Sequence, residues 1–151
     1  MKIRPFVLER FFAKYEFSTP YLLSSSDSET FLQAEIVAMA DKEVKKLWQN
    51  LKLGYTESIG HALLRAEIAK LYRGINADEV LVLTPEEGIF IALSCLLAKG
   101  DHVICTYPGY QSLYEIAESI GCEVTKWQPD EKNAWYFDIN FLEKNIKANT
   151  R

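Results

Sequence analysis

Between Glu79 and Gly121 the chain reads EVLVLTPEEGIFIALSCLLAKGDHVICTYPGYQSLYEIAESIG, short apolar runs alternating with helical patterns and separated by turn residues. Strands and helices that alternate at this pitch pair in parallel through right-handed crossovers, which commits the segment to an α/β fold. Val80-Leu81-Val82-Leu83 is continuously apolar and β-favouring, the pattern of a strand covered on both faces. Thr84-Pro85-Glu86-Glu87 then supplies a helix start: a hydroxyl cap, proline at the first helical position, and a carboxylate three residues after the cap. A helix that begins where a buried strand ends aims unpaired amides at the carboxyl edge of the sheet, where phosphate-bearing ligands settle in such folds. From Ile89 to Leu97 this helix is apolar nearly all round, so it is predicted to be buried.

His102 to Thr106 and Glu123 to Trp127 read as the second and third strands, the latter alternating polar and apolar as an edge strand does. Gln111 to Ile120 is the helix between them, and Gly121 ends it. Upstream, Glu35 to Leu51 has the spacing of one helix, and His61 to Arg73 that of another, stopped by Gly74. A last helix is predicted over Ile139 to Ile146. Residues 1–30 form an aromatic-rich N-terminal arm that turns polar at Ser24-Ser25-Ser26-Asp27-Ser28-Glu29, and residues 31–151 the α/β domain.

With 151 residues, 48% of them hydrophobic, the chain can build a real core. A formal charge of -4, with no basic face interleaved with aromatics, argues against nucleic acid as a partner. The longest apolar stretch is about half of what a bilayer crossing needs, so no membrane span is expected. Charged residues at Arg4, Glu9, Arg10 and Lys14 interrupt the place where a secretory signal would carry its apolar centre. Cys95, Cys105 and Cys122 lie in apolar context and are odd in number, which fits packed, reduced thiols and a cytoplasmic location. His61 and His102 have no carboxylate or cysteine at ligand spacing, which leaves metal binding without support.

Tyr55-Thr56 with Gly60, Leu64 and Arg65, then Thr84 to Glu87, Gly100-Asp101, Pro108-Gly109-Tyr110 and Gly121, together resemble the N-terminal half of the large domain of class I/II aminotransferases, the fold-type I pyridoxal-phosphate enzymes. The resemblance implies a partial three-layer sheet with mostly parallel strands, pyridoxal 5'-phosphate as cofactor, amino acid and 2-oxo acid substrates, and a homodimer. It implies that Thr84, Pro85, Glu86 and Glu87 form the phosphate turn, with the amides of Glu86 and Glu87 donating. Read from the residues alone, the same four letters are a capping box, and the two readings are compatible because both use one helix end. This turn departs from the family's small, hydroxyl-bearing one, since Pro85 has no N–H and two carboxylates add negative charge.

Tyr110 resembles the residue whose ring lies on the pyridine face, with Tyr107 as the nearest competitor. Tyr55 resembles the residue that reaches the partner subunit's cofactor phosphate; its other reading is a tyrosine packed at a junction where Thr56 caps the next helix. In the family the Schiff-base lysine lies further along than the point matching Arg151, and Lys70, Lys99 and Lys126 show no pattern that would replace it. The expectation is therefore a portion of an aminotransferase-like enzyme that is inactive alone. Two alternatives stay open: a truncated, non-catalytic module that dimerises or holds the cofactor, and another α/β enzyme that binds a phosphorylated ligand at the Thr84 helix terminus.

Overall fold

The computed structural model describes residues 2–151. Contacts divide them into two units: residues 2–18 with 83–151, and Thr19–Val82. This division falls elsewhere than the arm boundary at residue 30 read from composition, because the first helix, α1 (Val7–Tyr15), belongs with the unit that carries the strands.

That unit is built on two parallel strands, β1 (His102–Thr106) and β2 (Glu123–Trp127), paired in register from His102 with Glu123 to Thr106 with Trp127. Between them runs α6 (Gln111–Ile120), which packs on both strands, while α5 (Pro85–Leu96) packs on α6 and α7 (Ile139–Asn145) lies against β2. Helix α6 ends where the sequence demands. Gly121 sits at φ 102°, a left-handed conformation that glycine adopts without a Cβ penalty, and the chain turns there into β2. Cys105 of β1, Ile116 and Ala117 of α6, and Cys122 form the buried centre. Burial pushes the Cys105 and Cys122 thiols above their ordinary range, the behaviour of inert packed cysteines.

His102 is fully buried and holds one end of the sheet together. Its Nδ1 lies 2.7 Å from Thr150 Oγ1 and its Nε2 2.8 Å from Thr125 Oγ1. The backbone repeats the tie: His102 N donates to Asn149 O at 2.9 Å and Arg151 N to His102 O at 3.0 Å, a parallel bridge on the side of β1 away from β2. The imidazole therefore has a structural post.

The second unit carries three α-helices, α2 (Gln33–Met39), α3 (Lys42–Gln49) and α4 (Ala62–Ala69). Arg65 anchors it, 8% exposed, donating to Gly60 O at 3.1 Å and Ala77 O at 2.6 Å. The single helix expected over Glu35 to Leu51 is two, because Asp41 caps a new start: its carboxylate accepts from Val44 N at 2.8 Å. Helix α4 begins after His61, so Thr56 is not its cap; the Thr56 hydroxyl turns to its neighbour Glu57 instead.

Three further expectations are corrected. Val80–Leu83 does not form a strand: Val80 N returns to Ala77 O (3.3 Å) and Val82 N donates to Ile59 O (3.0 Å), neither of them a strand neighbour. An apolar run signals burial without naming the strand that would take its alternate amides, and here Leu81 is half exposed. Helix α5 is not buried, since only the face toward α6 is covered and Phe90, Ile91 and Leu96 remain exposed. Cys95, on the same helix, is exposed as well.

Candidate functional site

The sequence-derived site residues fall in two groups. Thr84, Pro85, Glu86 and Glu87 open α5, and Tyr110 is the residue immediately before α6. Both helix starts belong to the strand-bearing unit, whereas Tyr55 lies in the other unit, fully exposed in a segment without regular structure.

The two helix starts meet through Glu86. Ser112, in the first turn of α6 and 4% exposed, donates its hydroxyl to the Glu86 carboxylate, with Oγ 2.8 Å from Oε1 and 2.7 Å from Oε2. Tyr110, two residues earlier, is influenced by the same carboxylate. Hydrogen bonding to Glu86, with burial and the charges of Glu86 and Glu9, pushes its phenol up to about 12. The elbow and the ring singled out in the sequence thus share one corner.

Thr84 does not cap α5 as expected. Its hydroxyl makes no bond to a helix amide and lies 3.4 Å from Glu87 Oε2, so neither bond of the reciprocal capping box is formed. Gly88 N is the first amide of the turn to reach a carbonyl, Thr84 O at 2.9 Å. The amides of Glu86 and Glu87 precede it and, like the leading amides of any helix, have no acceptor within it.

The sequence offered no signal for the part played by the N-terminal segment. Gln111, the first residue of α6, grips it twice: Nε2 donates to Pro5 O at 3.0 Å and Oε1 accepts from Val7 N at 2.8 Å. Phe6, held between, stands edge-on to Tyr110 with ring centroids 5.2 Å apart and planes at 62°. Arg4 Nε reaches Glu115 Oε2 at 2.7 Å, and its guanidinium also pairs with Glu118. A cleft of about 340 Å³ lies between this segment and the helix starts, with Phe6, Phe90, Glu86, Ser112 and Glu115 in its lining and Tyr110 outside it. Composition marked residues 1–30 as an arm, but nothing in it pointed to α6 as the place where it docks.

Tyr107 has a different setting from Tyr110. It stands edge-on to Tyr114 at 5.6 Å, and the Lys126 ammonium lies 4.2 Å from its ring centroid. An aromatic face already engaged by a cation is a poor platform for a second ring. Of the two candidates, Tyr110 alone shares a corner with the α5 start.

The donor set at this corner fits a phosphorylated aromatic ring. Two leading amides of a twelve-residue helix and its dipole suit a phosphate, and Tyr110 opens the helix joined to that start through Glu86 and Ser112. Glu86, a charge at odds with an anion, is engaged by the Ser112 hydroxyl and thereby drawn toward α6. Among the described residues no group of acidic, histidine or cysteine side chains could hold a metal, and no helix is long and apolar enough to cross a membrane.

Residues 21–151 match the family described as aminotransferase class I and II. A PLP-dependent aminotransferase from Streptococcus suis superposes on the whole chain with a TM-score of 0.85 at 30% identity, the chain covering 41% of it. Tyrosine aminotransferase of Mus musculus is 29% identical over 102 residues, 64% of this chain and 22% of that protein. Aspartate aminotransferase of Pyrococcus horikoshii is 31% identical over 103 residues, 64% of this chain and 26% of that protein. The chain thus spans about a quarter or less of the length of these two curated relatives. The mixed α/β fold with its parallel pairing is that of the fold-type I aminotransferases. With nearly nine-tenths of its length matched, the chain belongs to the class I and II aminotransferase family.

Proposed function

We propose that this chain is the N-terminal portion of a pyridoxal-phosphate-dependent aminotransferase that moves an amino group between an amino acid and a 2-oxo acid, and that it works in the cytoplasm as a homodimer. The observation that carries the cofactor reading is the shared corner: the open amides of α5 and the Tyr110 ring belong to helix starts joined through Glu86 and Ser112. In this reading the amides of Glu86 and Glu87 bind the phosphate at the helix terminus, and Tyr110 orients the pyridine by offset stacking, worth about 1 kcal/mol beyond burial. When bound, the cofactor supplies an electron sink for the carbon that carries the amino group. Tyr55 is assigned to the partner subunit's phosphate, which makes dimerisation part of the function.

Turnover is not expected of these 151 residues alone, since they cover 41% of a solved relative. Fluorescence titration with pyridoxal phosphate tests the site directly. Weak saturable binding is expected, loosened about fivefold by Tyr110→Ala, the loss of roughly 1 kcal/mol of stacking, and left nearly unchanged by Tyr107→Ala. The reverse order would remove Tyr110 from the site. Borohydride treatment is expected to trap no stoichiometric adduct on one particular lysine. Such an adduct would place the essential amine within this chain.

A further inference from the structure

Glu86 was expected to contribute only its amide. Its side chain has the more unusual surroundings. Both carboxylate oxygens lie within 2.8 Å of the Ser112 hydroxyl, which is buried, and Tyr110 stands two residues before Ser112 at the start of the same helix. On the other side, Phe6 meets the Tyr110 ring edge-on, and Gln111 clamps the backbone on both sides of Phe6. The helix start that carries the ring is therefore held to α5 through Ser112, and the ring is flanked by the N-terminal segment.

We propose that Glu86 is a positioning residue, tying the first turn of α5 to the first turn of α6 through the buried Ser112 hydroxyl and so fixing the direction in which Tyr110 presents its ring. This rests on the reading of Tyr110 as the ring platform, and it gives chemical sense to a carboxylate at a helix start that receives a phosphate. A glutamate that only adds charge would repel the anion. One whose oxygens are engaged by Ser112 trades that repulsion for a fixed helix start beneath the aromatic ring. The charged groups acting on the Tyr110 phenol are Glu86 and, more weakly, Glu9 of α1.

The test needs no cofactor. Ring-to-ring nuclear Overhauser contacts between Phe6 and Tyr110 report the ring's direction, and ultraviolet titration reports the phenol. The Tyr110→Phe difference identifies Tyr110 among the eight tyrosines. In the unaltered chain the contacts are expected to be present and the Tyr110 midpoint to lie at about 12. Glu86→Ala is expected to lose the contacts and return the midpoint toward the ordinary value of 10. Glu86→Gln keeps acceptor and length without charge, so it is expected to lower the midpoint while retaining the contacts. Should Glu86→Ala fail to fold, Ser112→Ala breaks the same tie from α6 and is expected to weaken the contacts. Contacts and midpoint both unchanged in the alanine variant, or in Ser112→Ala should it stand in, would overturn the inference. Unchanged pyridoxal-phosphate affinity in Tyr110→Ala would overturn the cofactor reading instead, leaving the positioning result intact.

Discussion

The Glu86–Ser112 tie makes a quantitative demand on stability that a double-mutant cycle can meet or refuse. The two partners differ in burial: Ser112 is 4% exposed, whereas Glu86 reaches solvent. Removing the hydroxyl with Ser112→Ala leaves the carboxylate free to rehydrate, so the cost is about 1.5 kcal/mol, the low end for a hydrogen bond to a charged group. Removing the carboxylate with Glu86→Ala strands a buried hydroxyl at about 2 kcal/mol and forfeits an anion at a helix N-terminus at about 0.5 kcal/mol more. Independent sites would then give about 4 kcal/mol in the double variant. With both partners gone no orphan remains, and the double variant is expected to cost only about 2 kcal/mol, a coupling of about 2 kcal/mol. Urea unfolding followed by circular dichroism measures all four corners of the cycle. Additivity within about 0.5 kcal/mol would refute the tie, because residues that share a hydrogen bond cannot be independent.

Three other outcomes follow from the same coordinates. Gly121→Ala forces a Cβ into a left-handed turn at φ 102° and to 3.0 Å from Lys99 Cγ, so it is expected to lower stability by about 1–2 kcal/mol in the same urea assay. Arg4→Ala leaves Glu115, 7% exposed, without its guanidinium; lower stability in the same assay is expected, with faster proteolytic cleavage within residues 2–18. The Lys147 ammonium, which donates to Glu123 Oε1 at 2.5 Å, holds that carboxyl below its ordinary range. The tie is therefore present above the ordinary carboxylate pKa and lost as pH falls through the depressed one, and Lys147→Ala is expected to return Glu123 to the ordinary range when its carboxyl carbon is titrated by NMR.

What the sequence disclosed and what it withheld divide along physical lines. The bounds of β1, α6 and β2 were legible because each is set by local rules: period-two or helical spacing, and a glycine at the one position that needs a left-handed turn. The break at Asp41 was legible in principle, since an aspartate three residues before Val44 is a cap, but the apolar spacing on either side concealed it. The Val80–Leu83 strand and the burial of α5 could not be decided in this way, because an apolar pattern states a preference for cover and cannot say whether the cover is supplied by these residues. Within the candidate site, the order and spacing of Thr84 and Tyr110 were enough to place both at helix starts. The contacts joining them were out of reach, because they depend on residues 26 apart for Glu86 and Ser112 and 104 apart for Tyr110 and Phe6 meeting only after α5 and the N-terminal segment have docked on α6. This explains why Glu86 first reads as an awkward charge in a phosphate turn. Its partner is a serine on another helix, and only the packing of α5 on α6 turns a local electrostatic liability into a device that orients the neighbouring ring.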